Sequence, residues 1–321
     1  MKTDMPVNMP STAVIDSKKH LSIGGCSATD LAKEFGTPLW VLDEQTIRAA
    51  CQRYKKEFHK HNTDVEIVYA SKALSSIAML QIVTSEGLGI DVVSGGELYT
   101  AKLAKVAPEK ILFHGNNKSK KELKEAVDYG VGRIVVDNEQ ELIKLANIAK
   151  KKNKIVNILL RVNPGIEAHT HEFIQTGKVD SKFGISKDIL ADMIVKIKGL
   201  PSLKFMGIHV HIGSQIQEIK PFLLTIEEMM DHWSMVRRKT KVELNELNIG
   251  GGIGVEYLPN ELSPSIEEFA QKMTKTLDYK VKDLKLKKPR LILEPGRSIV
   301  AKAGVTLYTI GTIKDIPEVR K

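Results

Sequence analysis

The sequence predicts an α/β protein: a (β/α)8 barrel of the TIM type with a flanking, incomplete C-terminal β-domain. Three observations lead there. Eight short β-branched runs alternate with stretches of helical periodicity. They span residues 65–294, a length that suits one closed barrel. Strand-like segments also lie outside that span at both ends, at 38–43 and 303–316. An open doubly wound sheet is the structural alternative. It requires a reversal of strand order that a sequence does not display, and a count of eight favours closure.

In chain order the strands are read at "VEIVYAS" (65–71), "GIDVV" (89–93), "ILFHG" (111–115), "RIVVD" (133–137), "IVNILLRVN" (155–163), "KFMGIHVHI" (204–212), "ELNIG" (246–250) and "RLILE" (290–294). Between them, patterns such as "KELKEAVDYG" and "EQELIKLANIAKKK" return apolar residues every three or four positions, and a Gly or a Lys cluster closes each helix. Residues 21–43 read as loop, short helix and the strand "PLWVLD". The tail "AGVTLYTIGTIKDI" (303–316) alternates like a half-buried strand with no hairpin partner in sight. The expected division is an N-terminal segment 1–45 contributing to the β-domain, a barrel over 46–300, and the start of the C-terminal β-domain at 301–321.

Composition narrows the function classes. The balance of 48 Lys+Arg against 39 Asp+Glu gives a net charge of +9. The lysines are scattered, as in "KKNK" (151–154) and "KLKKP" (285–289), and no aromatic-interleaved basic motif accompanies them. A solvated surface mildly attractive to anionic substrates is expected, with no nucleic-acid partner. Cys26 and Cys51, the only cysteines, are too few for a disulfide framework and suit a reducing compartment. The opening "MKTDMPVNMPST" lacks the apolar stretch of a signal peptide, and no run approaches a membrane span. A cytoplasmic globular protein with no membrane partner is the expectation.

Chemistry is expected at the strand ends, because barrels of this type carry their working residues at the carboxyl ends of strands. Lys72 follows the first strand directly. Taken alone it is an ordinary solvated lysine; in a barrel mouth it is an amine able to form a Schiff base with a carbonyl. In "GIHVHIGSQI", His209 and His211 share a face by the strand period of two, with His211 nearer the mouth. The pair could ligate a metal, but no third ligand stands at zinc-type spacing. A flat imidazole beside the Ser214 hydroxyl suits an aromatic cofactor better. Gly250, Gly251 and Gly252 in "LNIGGGIG" expose backbone N–H groups that suit a phosphate, although a tight turn explains a glycine cluster equally well. "LILEPGRS" places Glu294 at a strand end, a turn through Gly296, and then Arg297. The acid suits a ring nitrogen and the cation a phosphate or carboxylate, while a surface ion pair is the plain alternative. A lysine, a planar stacking partner, a phosphate cup and an acid are together the parts of a pyridoxal 5'-phosphate site.

At this point a resemblance enters. "YASKA", "GLGIDVVSGGEL", "RVNPGIEAHTHEFIQTGKVDSKFGI", "GIHVHIGSQI", "LNIGGGIG" and "EPGRSIVA" resemble the motifs of the diaminopimelate decarboxylases, barrel-plus-β-domain (fold type III) pyridoxal-phosphate enzymes. The resemblance runs from Leu21 to Ile310, and "AHTHEFIQTGKVDSKFGI" narrows it towards diaminopimelate. The loop that carries this stretch is long by barrel standards, as functional loops often are.

The resemblance implies that Lys72 is the Schiff-base lysine and that His211 stacks on the cofactor ring. It implies that Ser214, Gly252 and the turn through Gly296 and Arg297 hold the phosphate, and that Glu294 pairs with the ring nitrogen. Arg297 is also expected to reach the substrate carboxylate, and Asp91 to support the lysine. The implied reaction converts meso-2,6-diaminopimelate to L-lysine and carbon dioxide, the last step of lysine biosynthesis, in a homodimer. In the family, a Cys-Glu motif in the β-domain supplies the proton donor. Neither Cys26 nor Cys51 stands in such a motif, so a C-terminally truncated chain, limited in turnover, is expected. Sister decarboxylases acting on carboxynorspermidine, ornithine or arginine, and a non-catalytic pyridoxal-phosphate carrier, remain as alternatives.

Overall fold

The computed structural model describes residues 5–61, 64–165 and 182–318. The eight expected strands form one closed parallel sheet: β1 (Val65–Ala70), β2 (Gly89–Val92), β3 (Ile111–Phe113), β4 (Arg133–Val136), β5 (Val156–Asn163), β6 (Leu203–His209), β7 (Glu246–Asn248) and β8 (Arg290–Leu293). Each pairs with its neighbours in chain order. The pairing of β8 with β1, with Leu291 opposite Val65 and Leu293 opposite Ile67, closes the barrel and excludes the open sheet.

The ring of helices comprises α1 (Glu44–Lys60), α2 (Ile77–Ser85), α3 (Gly95–Leu103), α4 (Lys120–Tyr129), α5 (Glu139–Lys151), α6 (Leu190–Lys198), α7 (Lys220–Thr240) and α8 (Ile266–Asp283). Local chemistry sets their ends. Ser119 and Glu122 form a reciprocal capping box that starts α4, and Gly130 stops it in the left-handed region at φ 81°. One turn of α-helix, Arg297–Val300, and one 3-10 turn, Ala301–Ala303, follow β8. The place of a helix after β8 is taken by α1, which precedes the barrel in the chain. Its face of Ile47, Cys51, Tyr54 and Phe58 is buried, Phe58 meets Phe269 of α8 edge to face at 6.2 Å, and Arg53 forks onto Glu267 at 2.6 Å.

The two-residue period of the strands sorts side chains between two cores. Tyr69, Ile90, Phe113, Ile134, Leu160 and Leu247 face the helices and are fully buried. Val68, Leu112, Val135, Leu159 and Ile292 point inwards and plug the barrel with an apolar layer. Below that plug, at the amino ends of the strands, Arg133 bridges Glu246 at 2.5 Å and Glu66 at 3.0 Å. Arg133→Met should therefore cost about 3–5 kcal/mol by urea denaturation, because it leaves buried Glu246 without its cation and Glu66 with only Arg290, at 3.6 Å. A loss under about 1 kcal/mol would mean that water reaches this layer. The plug makes the barrel a packed core, so chemistry is confined to the opposite, carboxyl end.

Both chain ends lie outside the barrel. Gly304–Leu307 pairs antiparallel with Leu39–Leu42, so the tail has a distant partner rather than a hairpin one. The tail strand is also shorter than the expected 303–316. Its partner offers four residues, and a strand extends only as far as it finds backbone to bond with. Residues expected as loop near 21–27 carry two strands of an antiparallel meander, Val14–Ile15, Leu21–Ile23 and Cys26–Ser27. Among the described residues no helix is long and apolar enough to cross a membrane.

Candidate active site

Lys72 sits in a single 3-10 turn, Ser71–Ala73, directly after β1, with its side chain open to solvent at the barrel mouth. The Ala70 N–H donates to the Pro295 carbonyl at 3.1 Å, stitching the end of β1 to the turn after β8. That bond brings Lys72 beside Glu294, Gly296 and Arg297. Two contiguous lobes of about 500 and 430 Å³ open there, both lined by Lys72, Asp91, His211, Ser214 and Glu294. The sizes fall in the range of small-molecule sites. Gly251, Gly252, Gly296 and Arg297 line the first lobe as well. Gly250 alone among the expected site residues lies off its wall: it is buried, and a Cβ there would stand 2.6 Å from His211 Nδ1.

The loops after β6 and β7 zip together. The Ile216 N–H donates to the Gly252 carbonyl and the Gly254 N–H to the Ile216 carbonyl, both at 2.9 Å. No side chain fits between them. A Cβ on Gly251 would lie 2.0 Å from the Glu294 carbonyl oxygen, and one on Gly252, at φ +113°, 2.2 Å from the Gly213 carbonyl oxygen. Gly251→Ala should therefore lower stability by about 1–3 kcal/mol and weaken phosphate and cofactor binding together. Unchanged melting and unchanged affinity would remove this loop from the site. Beside the loop, Arg297 donates to the Tyr257 hydroxyl at 2.7 Å and to Ser214 Oγ at 3.3 Å, while its buried Nε has no hydrogen-bond partner.

On the opposite wall the acids differ. Burial pushes Asp91 up to about 6, against the pull of His114. Burial also acts to raise Glu294, but His114 and His209 outweigh it and hold that carboxylate well below its usual range. Burial keeps both strand-six histidines neutral, with His209 pushed down to about 3 and His211, facing the cations Lys72 and Arg161, well below the ordinary imidazole value. These buried imidazoles take up protons only on unfolding. Each should therefore remove up to about 1.4 kcal/mol of stability per unit as pH falls below 6.5. Asp91, whose folded value lies above its unfolded 3.8, works in the opposite sense below about 6. With two imidazoles against one carboxyl, a urea-denaturation series should keep losing stability as pH falls from 6.5 through 5, and a flat profile there would contradict neutral buried rings.

His209 and His211 share a face as expected but serve different neighbours. His209 turns to His114 of the loop after β3, ring centroids 4.7 Å apart, and to Glu294. One ligand atom each from His114, His209 and Glu294 lie within 4.8 Å of one another, so a third group of metal-ligating type does stand beside His209. Its arrangement is nonetheless that of donors around an anion. Glu294 Oε1 is 2.7 Å from His114 Nε2 and accepts from the Asn248 amide at 2.6 Å, and Oε2 is 3.3 Å from His209 Nε2. His114, Asn248, Arg161 and Tyr257 were not singled out by sequence reasoning. Asn248 and Arg161 lie on the inward side of their strands and His114 directly past the end of β3, two positions after the inward Leu112; that period is the signal that could have found them. Tyr257 lies in a loop and carries none. Most of "AHTHEFIQTGKVDSKFGI", with residues 166–181, lies outside the described residues.

The chemistry of these groups suits a pyridoxal cofactor: an amine at the mouth, glycines too crowded for any Cβ, a half-buried guanidinium whose buried Nε–H is spare, and an ionised acid within the barrel. A parallel eight-stranded barrel with this lysine after β1 is the arrangement of the fold type III pyridoxal-phosphate proteins. The family model described as the pyridoxal-binding domain of the pyridoxal-dependent decarboxylases matches residues 44–301. A diaminopimelate decarboxylase from Halalkalibacterium halodurans is 42% identical over 96% of this chain and 71% of its own length. One from Synechocystis is 44% identical over 97% and 68%. The crystal structure of the M. jannaschii diaminopimelate decarboxylase in complex with L-lysine superposes with a TM-score of 0.88 at 35% identity, over 98% of this chain and 72% of that one. The chain belongs to the diaminopimelate decarboxylase family.

Proposed function

We propose that the chain decarboxylates meso-2,6-diaminopimelate at its D-centre, giving L-lysine and carbon dioxide, with pyridoxal 5'-phosphate as cofactor. The observation that carries this reading is the meeting of Lys72, Asp91, His211, Ser214, Glu294 and Arg297, from four parts of the chain, around one cavity in a member of this family. When bound, the cofactor supplies an electron sink for the pair left behind as carbon dioxide departs.

The residues would divide the work as follows. Lys72 anchors the cofactor covalently. His211, neutral and buried, offers a flat face to the ring without adding a positive charge beside it. Glu294, held ionised, keeps a proton on the ring nitrogen. Ser214, Gly251, Gly252, Gly296 and Arg297 bind the phosphate through N–H, hydroxyl and guanidinium donors. Arg297, which has donors to spare, also binds the substrate carboxylate. Asp91, raised to about 6 by burial, supports Lys72 from within the cavity. Neither cysteine belongs to this set: Cys26 is exposed on the N-terminal meander, and burial in α1 pushes the Cys51 thiol up to about 12. The reading includes a cytoplasmic homodimer, with residues 46–300 as the cofactor-binding barrel and both chain ends contributing to a β-domain.

Carbon dioxide release from a panel of meso-diaminopimelate, ornithine, arginine and carboxynorspermidine tests it. The highest kcat/KM is expected for diaminopimelate. Preference for another member of the panel would assign the chain to a sister decarboxylase, and tight cofactor binding with no turnover of any would favour a carrier.

A further inference from the structure

We propose that His114, His209 and Asn248 are positioning residues, which hold the Glu294 carboxylate in one place and one orientation, where it would serve the cofactor's ring nitrogen. The inference rests on the reading above. A carboxylate has about four acceptor positions. His114 and Asn248 occupy those on Oε1, at 2.7 and 2.6 Å, and His209 takes one on Oε2 at 3.3 Å. One acceptor position on Oε2 is left over, on a side chain that lines both lobes of the cavity.

Each donor is itself held in place. Asn248 Oδ1 accepts from the Gly250 N–H at 2.9 Å, which turns the amide so that its nitrogen must face Glu294. His209 is fully buried, and its Nδ1 has no hydrogen-bond partner. A neutral ring in that setting carries its proton on Nε2, and that N–H donates to the carboxylate. His114 packs edge to face on His209, with an interplanar angle of 68°. The three come from β6, β7 and the loop after β3, and none needs to touch substrate. Leaving a buried ring nitrogen without a partner is a cost that packing alone gives no reason to keep.

The test uses the cofactor-free protein first. With carbon-13 in its glutamate side-chain carboxyls, the Glu294 signal is assigned by its loss in Glu294→Gln and followed against pH. His209→Phe and Asn248→Leu should each raise the Glu294 titration midpoint by about one to two pH units, and His209→Gln, which keeps an N–H donor, should restore it. Asp91, Arg161 and His211 also face Glu294 and stay unchanged in every variant. In the loaded enzyme, the donor-less variants should lower kcat with little change in KM and shift the pH dependence of the cofactor's visible absorbance, again with rescue by His209→Gln. Asn248→Leu, close in volume, carries the test if His209→Phe does not fold. A Glu294 midpoint unmoved in a folded donor-less variant would overturn the proposal. Failure of the wild-type chain to bind pyridoxal phosphate would overturn the functional reading instead, while the titration would still decide whether the three donors set the carboxylate.

Discussion

Lys72→Ala should keep the fold and lose the visible absorbance that the wild-type chain develops with pyridoxal phosphate. Decarboxylation should fall by at least the ~10²–10⁴-fold that a positioned amine acting in proton transfer contributes. Lys72 is exposed and makes no core contact, so its truncation removes chemistry without removing packing. Borohydride reduction and digestion of the wild type should leave the pyridoxyl mass on the peptide containing Lys72. The mass appearing on another lysine, Lys302 or Lys118 for example, would overturn the assignment. Lys118 is a useful internal control. It is a buried lysine held by Glu141 at 2.8 Å and by two backbone carbonyls, and that engagement keeps it away from any carbonyl ligand.

Glu294→Gln should bind cofactor but turn over about 10²–10³-fold more slowly, the usual cost of removing one preorganised electrostatic group from an active site. The substitution is nearly isosteric, so the neighbouring donors persist. What changes is the charge, and a neutral amide cannot keep a proton on the ring nitrogen. The effect should therefore appear in kcat more than in KM. Wild-type turnover in that variant would take Glu294 out of the mechanism and with it the reason for surrounding the acid with His114, His209 and Asn248.

The sequence carried much of this site because the chemistry of a barrel collects at strand ends, and strand ends are local features. The run "VEIVYAS" places Lys72 after a strand, and "LILEPGRS" places Glu294 and Arg297 at the end of another, with no reference to the rest of the chain. Gly251 and Gly252 were legible for the same reason, and the structure adds only why no other residue fits there. The role of Gly250 was read less well: it backs His211 rather than facing the cavity. His209 shows the limit clearly. Period two put it on the same face as His211, but nothing local said that its partners would be a histidine 95 positions earlier and an acid 85 positions later.

Alternation and turn chemistry by themselves determined the eight strands and the helices between them. Both depend on interactions between residues a few positions apart. Only the tertiary structure decided which inward side chains meet. The stagger between neighbouring strands sets the height of every side chain above the apolar plug, and closure of β8 on β1 brings the last strand back to the first. Height and closure are properties of the whole sheet, so no window of the sequence contains them. The same holds for the tail, whose alternation runs to residue 316 but whose strand ends at Leu307, where its distant partner Leu39–Leu42 runs out.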